Sequence, residues 1–432
     1  MDSRGGRLVT APKTNAMSSR RQWVLAHLSR RLWVGASLFA LFAVLSGLLA
    51  AVLGPVVPTA LGRPIGRETL ETILQILASS MLVVATFSLS TMLQAYAAAS
   101  TATTPRVARI LMGDRVAQLA LSTFIGAFLF SLVGLLALGA GLYQDDGRIV
   151  LFVTTVLVVA LIVVTFVGWI DHAARLGRVG YGIERAADVA TETLRAWRRR
   201  PHLYACPPVD IPAAAVAVTA PCAGYLQHLD VAALDAVAAE LDARVHVVVR
   251  PGTLVDPARP VARVEAAEPL DDDNVRRIRA AFTVGEERSF AQDPRLGLLV
   301  LSEIAEKALS PGINDTGTAI EVLAALHRVL ASWIDVEPAE EPEFSRIHVP
   351  DLAVDDLVLD GFGGLATAGA GNLAVGIRLQ KTLARLAALG VPELRAAVIG
   401  VADRALERAR VALPLASDVA CLEALRPSPV GT

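Results

Sequence analysis

The sequence predicts a membrane protein with four transmembrane α-helices and an α+β region, in which a small β-barrel or sandwich-like module precedes an α-helical domain. Three observations carry this. Residues 32–53, 73–96, 116–142 and 149–170 contain no Asp, Glu, Lys, Arg or His, and each run exceeds the ~20 residues that a helix needs to cross a hydrocarbon core. Basic excess alternates between the segments that join these runs. Most of the remaining charge lies beyond residue 170, where strand and helix patterns follow one another.

The joining segments set an expected orientation. Residues 1–31 form a basic tail with Arg4, Arg7, Lys13, Arg20, Arg21, Arg30 and Arg31 against Asp2. Segment 54–72 balances Arg63 and Arg67 with Glu68 and Glu71, whereas segment 97–115 holds Arg106, Arg109 and Arg115 against Asp114. Segment 143–148 holds Asp145 and Asp146 against Arg148, and Arg175, Arg178, Arg185, Arg195 and Arg198 to Arg200 follow the fourth run. By the positive-inside rule both termini are expected to be cytoplasmic. The net charge of −2 hides this pattern, because the acidic residues lie mostly downstream. The first run is too long for the core of a secretory signal and is expected to be kept as an anchor. The expected organisation is a tail at 1–31, a membrane domain at 32–170, an amphipathic juxtamembrane helix at 171–200, a β-rich module at 201–265 and a mainly helical cytoplasmic domain at 266–432.

Composition narrows the chemistry. Cys206, Cys222 and Cys421 form no C-x-x-C pair, so neither a disulfide framework nor a zinc knuckle is indicated. The chain has 3 lysines and 37 arginines, the bias of a GC-rich genome, so runs such as Arg198 to Arg200 point first to a solvated basic helix end and second to anionic lipid headgroups. No nucleic-acid partner, cofactor or catalytic constellation is indicated. The lipid bilayer is the expected environment, a homo-oligomer the expected assembly, and a cytoplasmic protein a further candidate partner.

In the second run Ser79, Thr86, Ser90 and Gln94 share one helical face at ~100° per residue. Such a stripe either lines a water-filled path or bonds to neighbouring helices. In the third run Ala127, Ser131, Gly134 and Gly141 form a small-residue row, interrupted by Leu138, where another helix can approach closely. No carboxylate, lysine or histidine lies within a run, which argues against a transporter carrying its proton on an intramembrane acid. Pro105 disfavours helix at Thr104 and can start the next one, and with 107–112 the segment reads as a short amphipathic linker on the cytoplasmic face.

Pro201 and the Pro207-Pro208 pair mark the next boundary. Strand patterns at 213–219, 224–229, 244–249, 254–255 and 260–264 surround a helix at 230–241 with Asp230 as N-cap. The order resembles a lipoyl-like barrel-sandwich hybrid, but 201–265 contains no lysine to modify, so the likeness concerns fold alone. A helix is expected at 271–282. Asp293 with Pro294 then starts a helix over 296–309, and Thr318 with Glu321 fits a capping box for another that runs to about 334. Asp360-Gly361-Phe362-Gly363-Gly364 carries only part of a dinucleotide-loop pattern and reads better as a Gly-rich helix or turn. The seven histidines show no metal spacing, although His228 and His246 are placed to face each other across strands. A last amphipathic helix is expected over 383–412.

Arg288-Ser289-Phe290-Ala291-Gln292-Asp293, the stretch from Ser302-Glu303 through Lys307-Ala308-Leu309-Ser310-Pro311-Gly312-Ile313-Asn314-Asp315-Thr316-Gly317-Thr318-Ala319, and Pro105-Arg106 resemble a bacterial family of predicted integral membrane proteins, a domain of unknown function (number 2254). The family often has aspartate at Glu303, arginine at Lys307 and proline at Thr316. The resemblance implies an inner-membrane protein and supplies no reaction.

Arg288, Gln292, Asp293, Glu303, Asn314, Asp315 and Thr318 form the polar candidate cluster. Their oxygens suit a hard cation such as Mg²⁺ or Ca²⁺, the helix starts suit an anion, and helix capping alone explains several of them. Two functions follow. One is an oligomeric channel-like protein with a cytoplasmic regulatory domain. The other is a membrane-anchored sensor or scaffold whose cytoplasmic domain binds a ligand, a metal ion or a protein.

Overall fold

The computed structural model describes residues 37–38, 41–42, 45, 66–141, 145–338 and 341–428. The basic tail, most of the expected first span and parts of segments 54–72 and 143–148 lie outside the described residues. The described residues divide into two compact units: those up to Thr191, Gly297–Ile334 and those from Ala353 onward form one, and Glu192–Leu296 and Asp335–Leu352 the other.

The larger unit begins with α1 (Arg67–Ala102), α2 (Pro105–Met112), α3 (Arg115–Gly139), α4 (Asp145–Leu176) and α5 (Val179–Arg199). Thr104 is extended (φ −137°, ψ 158°), as the following proline demands, and its hydroxyl caps α2. Asp114 caps α3 through the amides of Val116 (2.8 Å) and Ala117 (3.4 Å). α3 is the central helix, burying Ala120, Phe124, Ala127, Phe130, Ser131 and Gly134. The small-residue row packs against two helices at once. A Cβ on Gly134 would lie 3.1 Å from a Leu74 methyl of α1 and 3.7 Å from a Leu151 methyl of α4. Only glycine leaves both leucines their present positions. Leu138 is buried beside the row, and Gly141 lies beyond the end of α3 in the left-handed region (φ 72°).

The smaller unit contains β1 (Ala205–Cys206), β2 (Val216–Thr219), β3 (Gly224–Leu229), α6 (Val231–Glu240), β4 (Arg244–Val247), β5 (Leu254–Val255), β6 (Pro260–Glu265), α7 (Asp272–Ala280), β7 (Phe282–Gly285) and β8 (Phe344–His348). One sheet has the order β1-β8-β4-β6-β2 and the other β5-β3-β7. β8 runs parallel to β1 and β4, and the other pairings are antiparallel. Val218, Leu226, Leu229, Leu234, Val245, Val264, Ile278 and Ile347 share the core. Asp230 and Asp271 cap α6 and α7, as residues with short side-chain acceptors do. Two strands lie where helix was expected. The helical pattern of 271–282 ends at Ala280, and Phe282 joins β7 because β3 offers it an antiparallel edge. β8 likewise lies beyond 265, in the stretch expected to be helical, and its pairing with β4 spans about a hundred residues that no local pattern reveals. His228 and His246 lie in different sheets, so they are not cross-strand neighbours. His246 instead stacks on His348 (ring centroids 5.1 Å apart, 12° between planes).

The larger unit resumes with α8 (Pro294–Ala308), α9 (Thr316–Ile334), α10 (Val354–Ala368), α11 (Leu373–Ala387), α12 (Pro392–Ala412) and α13 (Ala416–Ala424). α10 runs unbroken through the Gly361–Gly364 stretch, so no dinucleotide loop exists there. The single helix expected at 383–412 is two, divided by Gly390 (φ 81°) and restarted by Pro392 in the first turn. By length and composition four described helices can cross a membrane: α1, α3, the Gly147–Leu176 part of α4, and α9. The last was expected only as a helix of the cytoplasmic domain. Its Ala319, Val322, Leu323, Leu326, Val329 and Leu330 are buried, and Leu326 packs against Gly361 of α10.

Candidate functional site

α1 has two unlike faces. Leu70, Leu74, Met81, Ala85, Ser88, Met92 and Ala99 are buried at the heptad-like spacing of a helix seam, in one apolar cluster with α3. Ser79, Thr86, Ser90 and Gln94 are exposed among the described residues, and Gln75 extends their line by one turn. Among the described residues their hydrogen bonds stay within α1. The Ser79 hydroxyl donates to the Gln75 carbonyl (2.9 Å), Thr86 to that of Leu82 (2.8 Å), and the Gln94 amide to the Ser90 hydroxyl (3.2 Å). α4, which packs against both α3 and α1, differs. Every exposed side chain from Val153 to Ile170 is apolar.

The polar cluster falls into two groups. In the smaller unit Arg288 grips Asp293 with two hydrogen bonds (2.7 and 3.0 Å), and Asp293, 1% exposed, also accepts from the Arg295 amide (3.1 Å). Gln292 pairs with Leu229 as a strand would, accepting from its amide (2.8 Å) and donating to its carbonyl (3.2 Å). In the larger unit Glu303 of α8 forms an ion pair with Arg106 of α2, and Lys307, one turn on, donates to the Ser100 carbonyl at the end of α1 (3.1 Å). Asn314 takes up a left-handed turn (φ 50°). Asp315 caps α9, accepting from the Thr318 amide (3.0 Å) and hydroxyl (2.7 Å); that hydroxyl, above all, holds its carboxyl below the usual range. The helix therefore starts three residues earlier than expected, and no reciprocal capping box forms: both Thr318 groups donate to the Asp315 carboxylate, while the Asp315 amide donates to the Ala308 carbonyl (2.7 Å). Among the described residues no group of three or more His, Cys, Asp or Glu is placed to hold a metal ion.

A third group is not legible in the sequence. Asp114, 3% exposed, accepts from the Tyr181 hydroxyl of α5 (2.7 Å) and lies 3.3 Å from Nε2 of His172, itself 6% exposed in the last turns of α4. The His172 contact is at ion-pair distance but off the line of a hydrogen bond. Burial opposes the Asp114 charge, yet His172, the Tyr181 hydroxyl and the Val116 amide outweigh it and hold the carboxyl well below its usual range. Burial and the same carboxylate push the Tyr181 hydroxyl up. Asp114 is recognisable as a helix cap from its place before α3, but nothing local brings positions 114, 172 and 181 together.

Long apolar helices around a tightly packed centre, with apolar residues turned outward, define an α-helical integral membrane protein. The chain belongs to the family described as Predicted membrane protein (DUF2254), whose model matches residues 29–385. It is also similar to uncharacterized proteins of Mycobacterium bovis and Mycobacterium tuberculosis, each 27% identical over 340 residues, which is 73% of this chain. The match covers 64% of the length of these relatives. No solved structure matches the chain. The family stretches meet in the structure, since Glu303 and Lys307 hold the corner that contains Ser100 and Arg106.

Proposed function

We propose that the protein is a multi-pass inner-membrane protein with both termini in the cytoplasm, and that several copies assemble so that their α1 stripes line a polar path. One observation carries this reading: Ser79, Thr86, Ser90 and Gln94 lie on the face of α1 turned away from α3. Hydroxyls and amides on an outer face favour water or protein over lipid. The clamp of Glu303 and Lys307 on the α1–α2 corner supports a regulatory role for the cytoplasmic helices, because any shift of α8 pulls on the end of α1. The β-rich unit, read as a small barrel or sandwich, is then an adaptor module.

The test is chemical accessibility in membranes. With Cys206, Cys222 and Cys421 replaced by serine, Ser79→Cys and Ser90→Cys are compared with Leu157→Cys and Val164→Cys. A charged thiol reagent should modify the α1 positions at least about tenfold faster than the α4 positions. Solute or ion flux through proteoliposomes should fall on that modification. Equal protection at all four positions, with no flux, would abandon the path in favour of a membrane-anchored sensor or scaffold.

A further inference from the structure

The corner of Asp114, His172 and Tyr181 does more than cap a helix. Capping α3 needs only the Asp114 carboxylate and two amides. Here an imidazole is buried against that carboxylate as well, edge-on to the Tyr181 ring (5.8 Å, 86°) and 6.1 Å from the Trp169 ring. From α1, the Tyr96 hydroxyl is buried without a hydrogen-bond partner. Arg175 and Arg185 act electrostatically on Tyr181 from α4 and α5, and each is already paired on its own helix, with Asp171 and Asp188. Among these groups only the imidazole ordinarily changes its charge between pH 5 and 8. A carboxylate only accepts hydrogen bonds, so a neutral ring that turns a hydrogen-bearing Nε2 toward it keeps Nδ1 as the base.

We propose that Asp114 and His172 form a proton-binding site at the end of the helix bundle. As pH falls, one proton from solvent bonds to Nδ1 of His172. No bond within the protein breaks, and the contact with Asp114 becomes an imidazolium–carboxylate ion pair. That pair ties the last turns of α4 to the first turn of α3, with Tyr181 holding the other carboxylate oxygen. The site makes the α3–α4–α5 corner tighter in acid. It is independent of whether the α1 stripe conducts.

Trp169 supplies the readout, because an imidazolium beside an indole quenches its emission. The full chain in lipid nanodiscs is titrated from about pH 8 to about pH 5. Wild-type emission should fall with one midpoint, and the His172→Gln chain should lack that transition. Asp114→Asn keeps a capping side chain but removes the charge, and should move the midpoint down by about one pH unit. Should His172→Gln fail to fold, hydrogen exchange of the wild type decides. After correction for intrinsic chemistry, amides of 112–118 and 170–182 should be better protected at the acid end. A transition that persists in His172→Gln, a midpoint unmoved in Asp114→Asn, or pH-independent protection of the corner would each overturn the proposal.

Discussion

α1 and α4 flank the same central helix, yet they present different outer surfaces. Between Val153 and Ile170 the exposed residues of α4 are all apolar, whereas the exposed residues of α1 alternate Ile76, Leu82, Val83, Phe87 and Leu93 with Gln75, Ser79, Thr86, Ser90 and Gln94. Their inner faces are alike, as apolar seams against α3. Lipid tails favour the surface of α4 and do not satisfy that of α1. Mean hydropathy therefore identifies both helices as spans, but only the distribution of side chains around each axis separates a lipid-facing helix from one that needs water or protein beside it.

Substitutions on α3 sharpen the contrast, because its two sides are held differently. Phe124 is fully buried and meets Phe166 of α4 edge to face, with centroids 6.1 Å apart. Phe124→Ala should destabilise the bundle by about 3–5 kcal/mol, seen as a lowered unfolding midpoint in detergent, with the first loss of hydrogen-exchange protection in α4. Gly134→Leu should cost about 1–3 kcal/mol by overpacking. Its Cβ meets Leu74 of α1 before Leu151 of α4. Protection should fall in α1 at least as much as in α4. Equal loss in both helices from both variants would mean that α1 and α4 are held by one undivided core.

Much of this was legible in the sequence because it is local. The helices α1, α3 and α4 follow from the uninterrupted apolar runs at 73–96, 116–142 and 149–170, and the starts of α2 and α6 follow from Pro105 and Asp230. The stripe on α1 follows from helical periodicity alone. What escaped depends on distant partners. β7 and β8 are strands because β3 and β4 stand ready to pair with them. Ion pairs such as Arg106–Glu303 leave no trace in spacing, and neither does the approach of His172 to Asp114. α9 has the length and composition of a span, although its sequence reads only as a helix of the cytoplasmic domain, and its Leu326 packs against Gly361 of α10. Arg288, Gln292, Asp293, Asp315 and Thr318 are close in sequence, but each is already engaged with a turn, a strand edge or a cap.

The smallest expected change in stability bears most directly on the contrast between α1 and α4. Thr86→Val with Ser90→Ala removes two hydroxyls from the outer face of α1. The Thr86 hydroxyl donates to the Leu82 carbonyl of its own helix, and among the described residues Ser90 accepts from Gln94 one turn away. If the face meets water, no interhelical hydrogen bond is lost, and the unfolding midpoint in lipid should move by less than the equivalent of about 0.5 kcal/mol. If it meets another helix through these groups, each deletion should cost about 0.6 kcal/mol and up to about 1.7. The functional consequence runs the other way. A water-facing stripe made apolar should lose permeation while the fold remains, because dewetting closes a path that packing does not hold. Measured together, stability and flux in this one double variant separate a pore lining from a packing seam.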